Sequence, residues 1–170
     1  DTVEGLGKQI ASLIKTDNGS GAYTAGTSYE LLYSVDGGDI DWMYHEYQVI
    51  PYVIEVNASR QGFQPSYSTW RTSTVSRVRP AWQFLLDRMD GAAITGQLKN
   101  KGKSISNAIV HLERIAGGEK FVQDYPVQEN GFFHIIVPNS QYQITIQAPG
   151  LKAKTQSLKV KDQPVTVTSI

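Results

Sequence analysis

The first element that the hydrophobic pattern predicts is a helix over residues 2–15. Its apolar residues recur at three- and four-residue steps, which puts them on one helical face: Val3, Leu6, Ile10, Leu13 and Ile14. Residues 17–26 are rich in Asn, Gly, Ser and Thr and predict a loop. A second helix is predicted from Thr72 to Met89, where helical spacing returns. Pro80 lies inside that pattern, so we expect a kink or a new start there.

A short strand is predicted between the two helices. Residues 52–56, YVIEV, form an apolar β-branched run with one acid, Glu55, which is typical of a buried strand. A lone carboxylate in a buried strand is costly unless it is paired, bound to a ligand or open to a cleft. Glu55 is therefore either a functional acid or a structural one, which lies at a strand edge or pairs with a basic residue such as Arg60. Spacing alone favours the structural interpretation.

After Asp90 the pattern changes to short alternating runs separated by turn residues. Seven such runs predict a small all-β antiparallel sandwich. Asn130-Gly131, between two apolar runs, is the strongest hairpin signal among them. We therefore predict two domains, 1–90 and 91–170. The first has too little sheet to bury its helices and is expected to be incomplete.

Composition argues against several classes of function. Sixteen basic and sixteen acidic residues cancel, so there is no electrostatic reason to expect nucleic acid or an anionic membrane as a partner. No run approaches the ~20 apolar residues of a membrane-spanning helix. The chain contains no cysteine, which removes disulfides, cysteine zinc sites and thiol nucleophiles.

Two other features carry side chains that could form a site. Residues 33–44, YSVDGGDIDWMY, combine two adjacent glycines with aromatics and three aspartates, which indicates a structured loop. The simpler interpretation is a tight connection with Trp42 in the core. His45, His111 and His134 form no short-range metal-binding pair, so we predict no metal ligand in this chain.

Taken in order, these segments resemble the second half of a funnelin zinc carboxypeptidase of the carboxypeptidase A/T type. The spacing contributes to this, since Glu55 follows Tyr44 by eleven residues, as the catalytic glutamate of the family follows its Asp-Trp-x-Tyr signature. The matching series is GSGAYTAG at 19–26, YSVDGGDIDWMY at 33–44, VIEV at 53–56, and Gly62-Phe63 with Pro65. The resemblance implies that residues 1–90 are the C-terminal part of an α/β catalytic domain.

The resemblance also implies a mechanism. In the family, a zinc ion held by two histidines and a glutamate polarises water, and a second glutamate removes the proton of that water. Glu55 matches this general base, and Tyr33 matches the mobile tyrosine that closes over the substrate. The zinc ligands of the family precede the matched region. We therefore expect zinc to belong to a longer parent enzyme and this chain alone to be inactive.

Part of a specificity pocket is implied as well. Ile40 matches the pocket floor and favours an apolar C-terminal residue, whereas an acid from Asp39 or Asp36 would favour Lys or Arg. Ser28 and Val35 match the pocket walls. The implied partners are peptide or protein C-termini and the missing N-terminal half of the catalytic domain. A secreted or periplasmic location is inferred from the family.

Residues 91–170 resemble the transthyretin-like, or carboxypeptidase-regulatory-like, seven-strand sandwich that is often fused behind such catalytic domains. The matching segments are 94–96, 106–110, 130–133, 142–144 and 148–150. One alternative is a binding or structural role, in which the sandwich is an interaction module and the first part a peptidase remnant. Zinc ligands upstream in the gene would favour the peptidase. An unrelated all-β adhesion module would require the ordered motif series to be a coincidence.

Overall fold

A computed structural model describes residues 2–117 and 120–168 of the chain, with the backbone only at residues 2, 59 and 168. The chain divides into two compact units, Asp1–Asp87 and Arg88–Ile170. Among the described residues, no helix combines the length and the apolar character needed to cross a lipid bilayer.

The first unit is built from helices. They are α1 (Thr2–Leu13), α2 (Ser28–Leu31), α3 (Asp39–Tyr47), a 3-10 turn (Ser59–Gln61) and α4 (Tyr67–Arg88), which ends where the second unit begins. The predicted first helix is confirmed. The second is longer than predicted and runs through Pro80 without a break. Ser76, four residues earlier, is exposed, so water can reach the carbonyl that Pro80 leaves without an N–H partner.

The core of this unit lies between α1 and α4. Ile10, Ile14 and Ala81 are buried, and half-buried side chains pack around them. These partly buried neighbours are Tyr23, Tyr52, Ile54, Val78, Phe84 and Leu85. The core therefore includes the segment that precedes Glu55.

Two sequence predictions for this unit were wrong. Residues 52–56 form no strand, because a strand needs a hydrogen-bonded partner and the described residues of this unit contain only an isolated bridge, between Lys15 and Ala22. The interval 33–44 is not a continuous loop, since its second half is the start of α3. Trp42 is 54% exposed and does not lie in the core.

The second unit is β-rich, as predicted, and its strands form three sheets. One sheet has the order β6-β1-β9, one has the order β5-β4-β7-β8, and β2 pairs with β3 in a small ribbon. One buried cluster contains residues of both larger sheets, including Ile94, Phe133, Val110, Tyr142 and Ile144. The strands are β1 (Ala93–Gln97), β2 (Lys99–Asn100), β3 (Lys103–Ser104), β4 (Ile109–Ala116), β5 (Val122–Pro126), β6 (Phe132–Ile136), β7 (Ser140–Gln147), β8 (Lys154–Val160) and β9 (Pro164–Thr168).

Three details of the β unit differ from the sequence prediction. The described residues form nine strands instead of seven, of which β2 and β3 are only two residues long. The sandwich is not wholly antiparallel, because the chain crosses from β8 in one sheet to β9 in the other, where β9 lies parallel to β1. The Asn130-Gly131 turn is present, with φ +82° at Gly131, but it joins β5 and β6, which belong to different sheets. It is therefore a corner and not a hairpin. The carbonyl of Gly131 accepts a hydrogen bond from the Leu98 N–H (2.8 Å), which continues the pairing of β6 with β1.

Candidate functional site

Glu55 lies between α3 and the 3-10 turn, in a segment that is anchored on its amino-terminal side by Tyr52. The Tyr52 hydroxyl donates a 2.6 Å hydrogen bond to the carbonyl oxygen of Val3 in α1. Its ring lies against Gly7, where an added Cβ would be 3.3 Å from Cε1 of Tyr52. Burial raises the pKa of Tyr52 to about 12, partly offset by a hydrogen bond with the backbone of Gly7. The hydroxyl therefore stays protonated and can donate at neutral pH.

Asn57 anchors the other side of the segment. Its backbone is in the left-handed region, with φ +69°, and its N–H donates to the Tyr23 hydroxyl at 3.2 Å. Its side-chain oxygen accepts hydrogen bonds from Thr74 Oγ1 (2.7 Å) and Arg77 Nη2 (2.8 Å) of α4. Arg77 also donates to the carbonyl oxygen of Lys15 at 3.3 Å. Asn57 thus connects the Glu55 segment to α4 and to the end of α1.

The Glu55 side chain is exposed, and its carboxylate forms no hydrogen bond or ion pair with any residue that the structure describes. The ion pair with Arg60, one of the two structural alternatives for Glu55, is not formed. Arg60 instead pairs with Asp17 Oδ2 at 2.6 Å, and Gln61 donates to the same oxygen at 2.5 Å. The Asp17 side chain is only 8% exposed, and a buried carboxylate needs a paired charge. Arg60 therefore pairs with Asp17.

Ser28 begins α2, and Tyr33, which follows the helix, is held close to it. The N–H of Tyr33 donates to the Ser28 carbonyl oxygen at 2.9 Å, and the Tyr33 side chain is 68% exposed. A capping box fixes the start of this short helix. Thr27 and Glu30 exchange hydrogen bonds there, and the bond from the Thr27 backbone lowers the pKa of Glu30. Ser28 and Tyr33 are therefore held by local backbone contacts, with their side chains exposed.

Val35 and Ile40 come together around Gly38, the N-cap of α3. A Cβ added to Gly38 would lie 3.7 Å from Val35 Cγ1 and 3.8 Å from Ile40 Cγ1. Asp39 begins the helix, and its carboxylate accepts a hydrogen bond from the Ile40 N–H at 2.9 Å. An acid in the first turn is favoured by the helix dipole, which gives Asp39 a local structural role.

The described contacts form two local groups, Tyr33 with Ser28 through the backbone and Val35 with Ile40 around Gly38. No described hydrogen bond joins either group to Glu55. Sequence reasoning missed the residues that hold the segment, namely Tyr52, Asn57, Thr74 and Arg77. One signal was available at Asn57, because asparagine is enriched among the residues with positive φ. Nothing in the sequence pairs Asn57 with Thr74 and Arg77, since only the packing of α4 brings them together.

No group of three or more His, Cys, Asp or Glu side chains that could hold a metal ion is present among residues 2–117 and 120–168. His111 Nδ1 contacts Asp124 Oδ1 at 2.6 Å, as a cross-strand pair between β4 and β5. The ring of His134 is stacked with Phe132 at 6.5 Å, and His45 is exposed on α3. The described side chains therefore do not fit a zinc site of the kind that the carboxypeptidase resemblance implies.

Comparison with known families supports the resemblance for the first part of the chain. Residues 1–78 match the zinc carboxypeptidase family, which supports a carboxypeptidase-like origin of this region. The match does not extend to residues 79–170, and among curated proteins none is significantly similar to the chain.

Two solved structures are similar to the chain at low identity. An (S)-allantoin synthase is 15% identical over 76% of this chain, with a TM-score of 0.33. A 9R-lipoxygenase from Cyanothece PCC8801 is 11% identical over 55% of this chain, with a TM-score of 0.29. The chain spans 64% of the length of the first protein and 20% of the second. At these TM-scores, neither similarity establishes a fold or a function.

Proposed function

We propose that the chain is part of a zinc-dependent carboxypeptidase that removes C-terminal residues from peptides, and that Glu55 is its general base. The family match over residues 1–78 supports the reaction class. One structural observation supports the role of Glu55. Its carboxylate is exposed and unengaged among the described residues, while Tyr52 and Asn57 anchor the backbone on either side. A general base needs a fixed position and a free carboxylate.

In this proposal Glu55 takes a proton from the attacking water and later gives it to the leaving amine. Tyr33 closes over the substrate, which its exposed side chain leaves it free to do. Val35 and Ile40 form the apolar part of the specificity pocket, with Ser28 on its wall. Because the Asp39 carboxylate is bonded to the backbone of its own helix, the pocket favours an apolar C-terminal residue over Lys or Arg.

The zinc ligands, in this proposal, come from polypeptide outside residues 1–170, because the described side chains offer no metal site. The surface of α3 supports a partner segment. None of its residues is buried, and the aromatic side chains of Trp42, Tyr44 and Tyr47 are exposed. Exposed apolar patches of this kind mark sites that other protein covers. The same resemblance supports a transthyretin-like role for residues 91–170 and export of the parent enzyme, both as proposals.

The test uses the longer polypeptide that contains residues 1–170. Bound zinc and release of C-terminal amino acids are measured for the wild type, for Glu55→Gln and for Glu46→Gln. Glu46 is a matched control, since it is an exposed glutamate on α3. We expect stoichiometric zinc in all three proteins and a loss of kcat of ~100-fold or more only in Glu55→Gln. A wild type without zinc or release would contradict the proposal.

A binding or structural role is the second candidate. It is favoured by the lack of a metal-binding group among the described residues. In that case the first unit is a peptidase remnant and the β unit an interaction module. The same experiment separates the two, because a module of this kind would neither retain zinc nor release amino acids.

A further inference from the structure

We propose that Asn57 is a positioning residue for Glu55, an inference that rests on the proposed function. Asn57 lies two residues after Glu55 and is the point at which the segment is fixed to α4. Through its backbone and side chain it makes three hydrogen bonds, with Tyr23, Thr74 and Arg77. None of these partners belongs to the Glu55 segment, since Thr74 and Arg77 lie in α4 and Tyr23 lies between α1 and α2.

The Glu55 segment depends on such side-chain anchors because its own backbone supplies none. No backbone N–H or carbonyl of residues 49–56 forms a hydrogen bond with another described residue. In a sheet, ladder hydrogen bonds would hold these residues, but here the segment pairs with no strand. Its position is therefore set by Ile54 and Tyr52, which pack into the core, and by Asn57.

The contacts of Asn57 restrict the backbone position of Glu55, two residues earlier. The left-handed backbone at φ +69° turns the chain directly after Val56, and the N–H bond to Tyr23 holds that turn. Arg77 then joins the Asn57 side chain to the Lys15 carbonyl oxygen, so the turn is tied to α4 and to the chain two residues after α1. Without the side-chain acceptor, residues 55–57 keep only the Tyr23 contact, and the carboxylate can move relative to the substrate.

Three substitutions separate the side chain from the backbone geometry. Asn57→Gly allows positive φ but removes the acceptor for Thr74 and Arg77. Asn57→Asp keeps an acceptor oxygen and tolerates the left-handed region, so it is the conservative rescue. Gln48→Gly is the control, because Gln48 also has a positive φ (+55°), at the end of α3, where its side-chain amide donates to the His45 carbonyl oxygen at 3.0 Å.

The first measurement is made on residues 1–170 by NMR relaxation. We expect backbone order parameters of about 0.85 for Val53, Glu55 and Val56 in the wild type, and below about 0.6 in Asn57→Gly. Asn57→Asp and Gln48→Gly are expected to match the wild type. Unchanged order parameters in Asn57→Gly would overturn the inference whether or not the enzyme is active.

The second measurement is steady-state kinetics on the longer, zinc-loaded polypeptide. A misplacement of about 1 Å can cost ~100-fold in rate, so we expect kcat to fall about that much in Asn57→Gly, with KM nearly unchanged. Asn57→Asp should recover most of the loss. An unchanged kcat in an active enzyme, or a loss confined to KM, would overturn the inference. An inactive wild type would contradict the proposed function, while the order parameters would still decide whether Asn57 fixes the segment.

Discussion

The hydroxyl of Tyr52 donates a hydrogen bond of 2.6 Å to the carbonyl oxygen of Val3, which lies 49 residues earlier in the chain. This contact brings the segment before Glu55 onto the first turn of α1. Gly7 of α1 contributes to the same contact, because the absence of a side chain there leaves room for the Tyr52 ring. The support of the candidate site therefore begins at the first helix of the chain.

The two glycines of α1 should respond differently to alanine. Gly5 has no neighbour within 4 Å of an added Cβ, whereas at Gly7 the Cβ would press on Tyr52, which its hydrogen bond holds in place. Gly5→Ala should stabilise the first unit by about 0.5–1 kcal/mol, as alanine does in helices. Gly7→Ala should lose that gain, because crowding costs about 1–3 kcal/mol.

Urea unfolding followed by tryptophan fluorescence measures this difference. All three tryptophans, Trp42, Trp70 and Trp82, lie in residues 1–87, so the signal reports on the first unit. Equal unfolding free energies for the two variants would show that the ring of Tyr52 does not occupy this position.

Tyr52 should also make the first unit sensitive to alkaline pH. Its folded pKa, about 12, is above the usual value of 10 because burial disfavours the charged phenolate. Between these two values the unfolded chain has lost the proton that the folded chain keeps. Stability from this group is therefore complete below pH 10 and falls as the pH rises from 10 to 12. Tyr52→Phe should flatten that decline in unfolding free energy, and Tyr29→Phe, at an exposed position, should not.

The sequence predicted α1, most of α4 and the β-rich half well because their signals are local, whereas α2 and α3 were missed. Helical spacing marked α1 and most of α4, and alternation marked the strands. Residues 52–56 were misassigned because an apolar β-branched run also occurs without a strand partner, here with Tyr52 and Ile54 partly buried and Val53 and Glu55 exposed. Whether such a run becomes a strand depends on residues elsewhere, which periodicity does not show.

The candidate site was predicted less completely, for a similar reason. Glu55 stands out as an acid in an apolar run, but Asn57, Thr74 and Arg77 are ordinary polar residues in sequence. Their hydrogen bonds join positions that are 17 and 20 residues apart. The turn at Asn130-Gly131 shows the same limit, since the local signal gave the turn correctly and the sheets that it connects depend on long-range pairing.

Removing the buried carboxylate of Asp17 should destabilise the first unit more than removing Arg60. Asp17 accepts hydrogen bonds from both Arg60 and Gln61, and its side chain is almost fully buried. Charged hydrogen bonds contribute roughly 1.5–3 kcal/mol, so Asp17→Ala should cost about 2 kcal/mol. Arg60→Ala should cost less, because Arg60 is largely exposed and the hydrogen bond from Gln61 to Asp17 remains.

Urea unfolding followed by tryptophan fluorescence gives both unfolding free energies. Asp36→Ala, at an exposed loop position, is the control, and a similar loss there would contradict a specific role for Asp17.

In the β unit, Gly96→Ala should be strongly destabilising. An added Cβ would lie 2.5 Å from Cζ of Phe133 and 3.1 Å from the Val167 carbonyl oxygen, and Phe133 is buried in the core. Overpacking of this kind costs about 1–3 kcal/mol. The double variant Gly96→Ala with Phe133→Leu should recover part of the loss, since the smaller side chain removes the contact. Thermal unfolding followed by circular dichroism tests this, and strictly additive effects would contradict direct contact between the two residues.

The isolated chain of 170 residues should bind no zinc tightly and release no amino acids from peptides. The described side chains bring together no three metal-binding groups, and His111 with Asp124 provides only two on an exposed sheet surface. Structural and catalytic zinc sites use at least three protein ligands. Zinc content after dialysis, measured by atomic spectroscopy, should be well below one ion per chain for the wild type and for His111→Ala. Stoichiometric zinc that disappears in His111→Ala would instead place a metal site on the β unit, and the proposal that the zinc ligands lie outside this chain would lose its main support.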